Sequence, residues 1–162
     1  MNDRRKRILY IAQAALIAAV YTALVLLFEP ISFNYIQFRI AEALTILPLF
    51  TSAAVPGLFL GCILGNLFGG AVILDVIGGS LATLIGAFLG YRLRNSRWLV
   101  PVPTVIANAL IVPFVLRYGY GMQLPILLMA LYVFLGEMAG SYLLGEILGS
   151  VLLKQRKHFF QE

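Results

Sequence analysis

The chain alternates long apolar runs with short polar interruptions. The first run covers residues 8–28, and others follow at about 40–50, 55–71, 74–91, 99–116 and 124–153. A bilayer crossing takes about 20 apolar residues. Residues 98–153 therefore hold two crossings and a short outer turn at 117–123. Residues 8–91 hold four, because two would leave about 40 apolar residues outside the hydrocarbon with no second core to bury them. The pattern predicts an all-α membrane protein, a compact bundle of six transmembrane helices forming one domain over residues 1–162. Run 40–50 is too short to cross at about 1.5 Å per residue unless it is buried in protein or starts below the outer surface. Between the first two runs, residues 29–38 (EPISFNYIQF) carry Pro and Asn that interrupt a helix, yet they are too aromatic for a plain solvated loop. They are expected to form a lid.

Charge orients this pattern. Apart from Arg39 and Arg117, every Lys and Arg falls in one of three clusters: Arg4, Arg5, Lys6 and Arg7; Arg92, Arg94 and Arg97; Lys154, Arg156 and Lys157. Loops rich in Lys and Arg stay cytoplasmic, so both termini and the loop around Arg94 are expected there, with an even number of crossings between clusters. The turn at residues 51–56 is uncharged and says nothing about orientation. Composition agrees, since 61% hydrophobic and 12% charged residues lie far from the roughly 25% charged residues of soluble domains. The net charge of +5 is largely that of the three clusters. It reads as topology and contact with anionic lipid headgroups, and no basic stripe interleaved with aromatics suggests nucleic acid. The first run is about twice the apolar core of a signal peptide and no small-residue cleavage site follows in a polar context, so it reads as a retained span.

Enzyme chemistry finds little to work with. The one histidine, His158, lies beyond the last basic cluster, where it completes neither a Ser–His hydrolase nor a histidine zinc site inside the bundle. The single Cys62 can form no internal disulfide and has no metal-binding companion, and no phosphate-binding G-x-x-x-x-G-K-[ST] loop is present. No cofactor or metal is expected, and a paired-carboxylate enzyme is only a formal alternative.

The polar residues inside the apolar runs carry the chemistry, because an ionisable group at membrane depth is costly and faces a cavity or a partner. They are Gln37, Arg39, Glu42, Asn66, Asp75, Asn108, Glu137 and Glu146, with hydroxyls from Thr45, Ser80, Thr83, Tyr132, Ser141 and Tyr142. Arg39, Glu42, Asn66 and Asp75 fall toward the outer half by topology, Glu137 roughly 20 Å from the outer end of its span, and Glu146 near the cytoplasm. Plainer readings stand beside these. Arg39 and Glu42 could pair on one helix face, Asp75 could cap its helix, and Asn66 and Asn108 could bond between helices. Glu137 has no cap to form and no basic neighbour in sequence. Three buried or half-buried acids facing one buried Arg describe a cavity for a cation or a molecule rich in N–H donors, not an anion.

Small residues mark close helix contacts. Gly57, Gly61, Gly65 and Gly69 recur every fourth residue, and Ala14/Ala18 and Ala15/Ala19 form two overlapping A-x-x-x-A pairs. Such spacing serves packing within the bundle or docking on another subunit.

The runs QFRIAEALT from Gln37 to Thr45, PGLFLGC from Pro56 to Cys62 followed by Asn66, and DVIGGSLAT from Asp75 to Thr83 resemble the QueT family. Its members are substrate-binding (S) components of energy-coupling factor (ECF) transporters assigned to queuosine precursors, and the likeness covers nearly the whole chain. It implies a multi-pass protein of the bacterial cell membrane that captures its solute outside and topples to deliver it inward. Docking would run through Ala14, Ala15, Ala18 and Ala19 onto a transmembrane coupling subunit bearing two ATPases. An aminomethyl-deazaguanine, as implied ligand, would offer a guanine-like edge and an ammonium to Glu42, Asp75 and Glu137. Gln37 and Asn66 would meet the amide edge, Arg39 would orient Glu42, and Tyr35 or Phe38 would stack on the ring. An S component for another vitamin or purine-like solute, or a standalone secondary carrier, shares the general features.

Overall fold

The computed structural model describes residues 3–28 and 38–159, with side chains to residue 155. The described residues are helical and contain no strand. The helix α1 spans Asp3–Leu27, and a 3₁₀ helix, labelled α2, spans Ile40–Leu49. They are followed by α3, Ala54–Phe68; α4, Ile73–Arg92; α5, Val102–Tyr118; and α6, Ile126–Glu137. A π-helical segment, Met138–Leu144, joins α6 without a break to α7, Gly145–Phe159.

Four of these are long and apolar enough to cross a membrane: Asp3–Leu27, Ile73–Arg92, the stretch Arg97–Tyr118 that ends in α5, and Ile126–Gln155. The other two apolar helices, α2 and α3, are shorter. Winding compensates part of this shortfall in α2. A 3₁₀ helix rises about 2.0 Å per residue against about 1.5 Å in an α-helix, so its 10 residues reach about 20 Å instead of 15 Å. Buried residues line α2 almost throughout, so protein surrounds it, which is where a short, irregular element at membrane depth is tolerated. The outward surface is apolar in turn: Leu16, Phe68, Ile77, Ile106, Leu127 and Leu131 all point away from the bundle. That is the arrangement a hydrocarbon solvent requires.

Glycine ladders join the helices in pairs. A Cβ at Gly57 would lie 2.8 Å from the Ala14 carbonyl oxygen, and one at Gly61 would lie 2.7 Å from Tyr21 Cβ. A Cβ at Gly65 would meet the Val25 side chain, so α1 and α3 run parallel in close contact. This is the packing within the bundle that the spacing allows. A second ladder, Gly78, Gly86 and Gly90, seats α4 on α5, where a Cβ at Gly90 would lie 2.5 Å from the Val100 carbonyl oxygen. Between the pairs, Tyr21, Val25, Ala41, Leu44, Ala54, Leu58, Cys62 and Ala87 form one buried cluster. Another, at the junction of α5 and α6, holds Val112, Leu116, Met129 and Val133. Gly70 and Gly121, with φ of 73° and 68°, turn the chain from α3 to α4 and from α5 to α6.

Arg92, Arg94 and Arg97 lie at the end of α4 and in its connection to α5, at one end of the bundle. There Arg97 Nε lies 3.1 Å from Glu146 Oε2 and Arg97 Nη2 donates to Ser150 Oγ at 3.0 Å, tying the α4–α5 connection to α7. Arg92, Arg94 and Arg97 stack over Phe88, Tyr91 and Trp98 respectively. Glu146 thus belongs to an interhelical clasp remote from the other acids.

Candidate functional site

At the opposite end, the starts of α2 and α4, the end of α3 and the α5–α6 turn converge. Arg39 precedes α2 in extended conformation, so it does not share a helix face with Glu42, and their expected pairing does not form. Its guanidinium instead crosses to the first turn of α4, where Nη2 lies 3.2 Å from Asp75 Oδ2, with both side chains almost fully buried. The same carboxylate oxygen accepts a hydrogen bond from the Tyr120 hydroxyl at 2.9 Å. Asp75 does not cap α4. The N-cap is Val72, with no side-chain bond, and Asp75 Oδ2 is engaged by Arg39 and Tyr120. Burial and this neighbouring carboxylate hold the Tyr120 hydroxyl protonated well above its ordinary range.

Asn66, at the end of α3, donates its Nδ2 to the Asp75 backbone carbonyl at 3.2 Å. Thr83 donates to the Gly79 carbonyl at 3.0 Å and reaches Cys62 Sγ at 3.5 Å. Gly79 is required here: a Cβ would stand 2.8 Å from Asp75 Oδ1 and 3.3 Å from Asn66 Nδ2.

The second group of polar side chains lies deeper. Glu42 Oε1 accepts a hydrogen bond from the Tyr21 hydroxyl, which brings α1 into the site. Glu137, the last residue of α6, is buried beside Asn108, within electrostatic reach of Glu42 and Arg39. The π segment that follows supports this placement, since Ser141 Oγ lies 2.7 Å from Thr45 Oγ1 on α2. Gly140 brings the segment so close that a Cβ would lie 2.7 Å from the Arg39 carbonyl oxygen. Single π turns inside α-helices recur at functional sites.

The structure thus gathers Arg39, Glu42, Asn66, Asp75 and Glu137 in one buried polar interior, with Asn108 beside Glu137. Phe38 is half-buried next to Arg39. Gln37, Tyr35 and the expected lid at residues 29–37 lie outside the described residues. Of the four alanines, Ala14 and Ala18 are buried against α3, whereas Ala15 and Ala19 are exposed. Sequence reasoning missed Tyr21 and Tyr120. Tyr21 continues the buried face begun by Ala14 and Ala18, and a tyrosine on such a face needs a partner for its hydroxyl.

Among the described residues, several polar atoms in this interior have no hydrogen-bond partner: Glu42 Oε2, Asn66 Oδ1, Asp75 Oδ1 and Glu137 Oε2. Buried polar groups are normally satisfied, so this set is chemically incomplete.

Comparison with known proteins bears on this reading. A family model described as QueT transporter matches residues 11–154 of the 162-residue chain. The chain belongs to the QueT transporter family. The matched region of this QueT-family chain includes every described residue of the polar interior, from Tyr21 through Ser141. No curated protein and no solved structure matches it. Family and apolar helices together make it a membrane protein with a transport role.

Proposed function

We propose that this chain is the substrate-capture subunit of an ECF-type importer, binding a queuosine precursor, a deazaguanine-type base, from outside. The observation that carries the reading is the incomplete polar interior at the end of the bundle away from the basic clusters, in a chain of a transporter family. The three acids and the asparagines suit the N–H-rich edge of such a base. In this reading α2 and α3 complete six crossings, both termini are cytoplasmic, and the protein lies in a bacterial cell membrane.

The chain itself catalyses no reaction, and ATP hydrolysis resides in two partner ATPases on a transmembrane coupling subunit. The exposed Ala15/Ala19 pair on α1 is the contact for that subunit, since small residues let another backbone approach closely. Ala14 and Ala18 serve the bundle instead.

Calorimetric titration of the purified protein in detergent tests the solute class, with queuine, guanine and thiamine as ligands. Tight binding of queuine with much weaker guanine supports the reading, and thiamine binding more tightly than queuine refutes it. Co-purification with a coupling subunit and ATPases tests the assembly, and uptake by cells lacking any such module would favour a standalone carrier.

A further inference from the structure

Apart from the three basic clusters and the buried Arg39, the chain carries a single Lys or Arg, Arg117. It stands in the last turn of α5, at the end of that helix away from Arg92, Arg94 and Arg97, where the charge pattern of the clusters gives it no place. Its Nη1 donates to the carbonyl oxygens of Met122 and Leu124 at 3.4 Å and 3.3 Å, which holds the guanidinium against the α5–α6 turn. Nε and Nη2 form the other edge, a fork that grips a phosphate or carboxylate through two parallel bonds. Among the described residues no carboxylate pairs with Arg117 and nothing accepts from that edge, although the residue is only half-buried.

Two open apolar grooves flank the same helix. One, of about 570 Å³ between α5 and α6, is lined by Ala109, Leu110, Pro125, Leu128, Leu131 and Phe134. The other, of about 440 Å³ between α4 and α5, is lined by Leu74, Ile77, Gly78, Leu110, Phe114 and Tyr118. Both volumes fall in the range of about 300–1,000 Å³ that ligand sites occupy. Leu110 belongs to both grooves and is exposed, so it forms the ridge between them. Leu110, Phe114 and Arg117 stand at i, i+4 and i+7, along one stripe of α5. Seven residues set Arg117 about 10 Å along the axis from that ridge, which places the guanidinium at the head of both grooves.

We propose that α5 seats one phospholipid molecule, its phosphodiester on the Nε–Nη2 edge of Arg117 and its two acyl chains in the grooves on either side of Leu110. Charge complementarity selects this occupant. A second copy of the chain would fill apolar grooves and leave the guanidinium unanswered, and a free phosphate would answer the guanidinium and leave the grooves empty. Snorkelling alone brings an arginine to a helix end, but it gives no reason for a groove on each flank. The seat lies against the turn whose Tyr120 bonds Asp75, so a lipid there braces that end of the polar interior. The inference is independent of the solute proposed above.

The test is photo-crosslinking of the detergent-purified protein with phosphatidylglycerol carrying a diazirine in one acyl chain, the adducts being mapped by mass spectrometry. A charge-assisted bond to phosphate should make adducts in the two grooves about tenfold more frequent than on the exposed face of α1, and Arg117→Gln should remove that excess. Leu110→Trp, which sets an indole on the shared ridge, should remove it as well, and excess glycerol phosphate should not compete. Adducts spread evenly over the apolar surface, or an excess unchanged in Arg117→Gln, would overturn the proposal. Competition by glycerol phosphate would leave a phosphate site without acyl grooves, and a dimer by intact mass whose grooves escape labelling would make a second copy the occupant; either result refutes a phospholipid seat. Should loss of the two carbonyl bonds unfold Arg117→Gln, the wild-type adduct map and Leu110→Trp, altered at an exposed position, still decide the matter.

Discussion

Replacing Asp75 with Asn keeps the shape of the side chain and removes its charge, which makes it the sharpest probe of the Arg39–Asp75 end of the polar interior. In the wild-type protein one carboxylate oxygen holds both the buried Arg39 guanidinium at 3.2 Å and the hydroxyl of the half-buried Tyr120 at 2.9 Å. Removing one partner of a buried ion pair costs about 3–5 kcal/mol. The lower end applies, because Glu42 and Glu137 remain within electrostatic reach of the guanidinium. For a chain of this length about 1 kcal/mol corresponds to about 2–4 °C, so a loss of about 3 kcal/mol lowers the melting temperature by about 6–12 °C. Tyr120→Phe removes a single hydrogen bond, worth about 1 kcal/mol, and should cost about 2–4 °C. The protein supplies its own reporter, since its one thiol, Cys62, is fully buried. A thiol-reactive fluorophore therefore lights up as the bundle opens. An Asp75→Asn protein melting within 2 °C of wild type, or a Tyr120→Phe protein as unstable as Asp75→Asn, would refute the assignment of this pair as the tie between α2 and α4.

Three further outcomes follow from the packing. Ala15→Trp, on an exposed position, should leave solute binding unchanged and reduce uptake in cells at least tenfold, whereas Ala18→Trp, set against Gly61, should also lower the melting temperature; normal uptake by Ala15→Trp would remove α1 as the docking face. Gly140→Ala forces a methyl group toward the Arg39 carbonyl oxygen, only 2.7 Å away, and should cost about 1–3 kcal/mol together with weakened solute binding, checked by melting and titration. Gly61→Val should separate α1 from α3 and lower stability by at least about 2 kcal/mol, because its Cβ position lies 2.7 Å from Tyr21 Cβ and 3.0 Å from the Ala18 carbonyl oxygen; an unchanged melting curve would contradict the close contact.

The apolar runs made most helices legible, because a membrane-spanning helix is a long signal that needs no partner to be recognised. The boundaries of the third and fourth runs, 55–71 and 74–91, fall close to Ala54–Phe68 and Ile73–Arg92. What a one-dimensional pattern lacks is the pairing between elements. Arg39 and Glu42 stand three apart in sequence, which on an α-helix would set them together, but α2 starts after Arg39 and winds as a 3₁₀ helix. The Arg39 partner is therefore Asp75, 36 residues away. Tyr21 and Tyr120 escaped notice for a related reason. Each lies where an aromatic residue would ordinarily face lipid or a turn, and only the approach of Glu42 or Asp75 gives its hydroxyl a role. The ladder Gly78, Gly86 and Gly90 was visible in spacing, with Ala82 completing the four-residue step, yet went unread beside the unbroken one on α3.

The two glycine ladders also explain where the site can adapt. Backbones held as close as α1 on α3 and α4 on α5 have no side-chain layer between them to repack, so these pairs act as stiff walls. Asn66 and Asp75, on α3 and α4, are fixed in relation to each other by a bond from one side chain to the other's backbone. Glu42 and Glu137 stand on different footing. One belongs to a 3₁₀ helix, whose hydrogen-bond geometry is poorer than that of an α-helix, and the other ends an α-helix where it widens into a π turn. Between them, Thr45 and Ser141 provide a hydroxyl contact that can reverse donor and acceptor. The polar interior thus has a rigid pair of acceptors on one side and two carboxyls on adjustable backbone on the other.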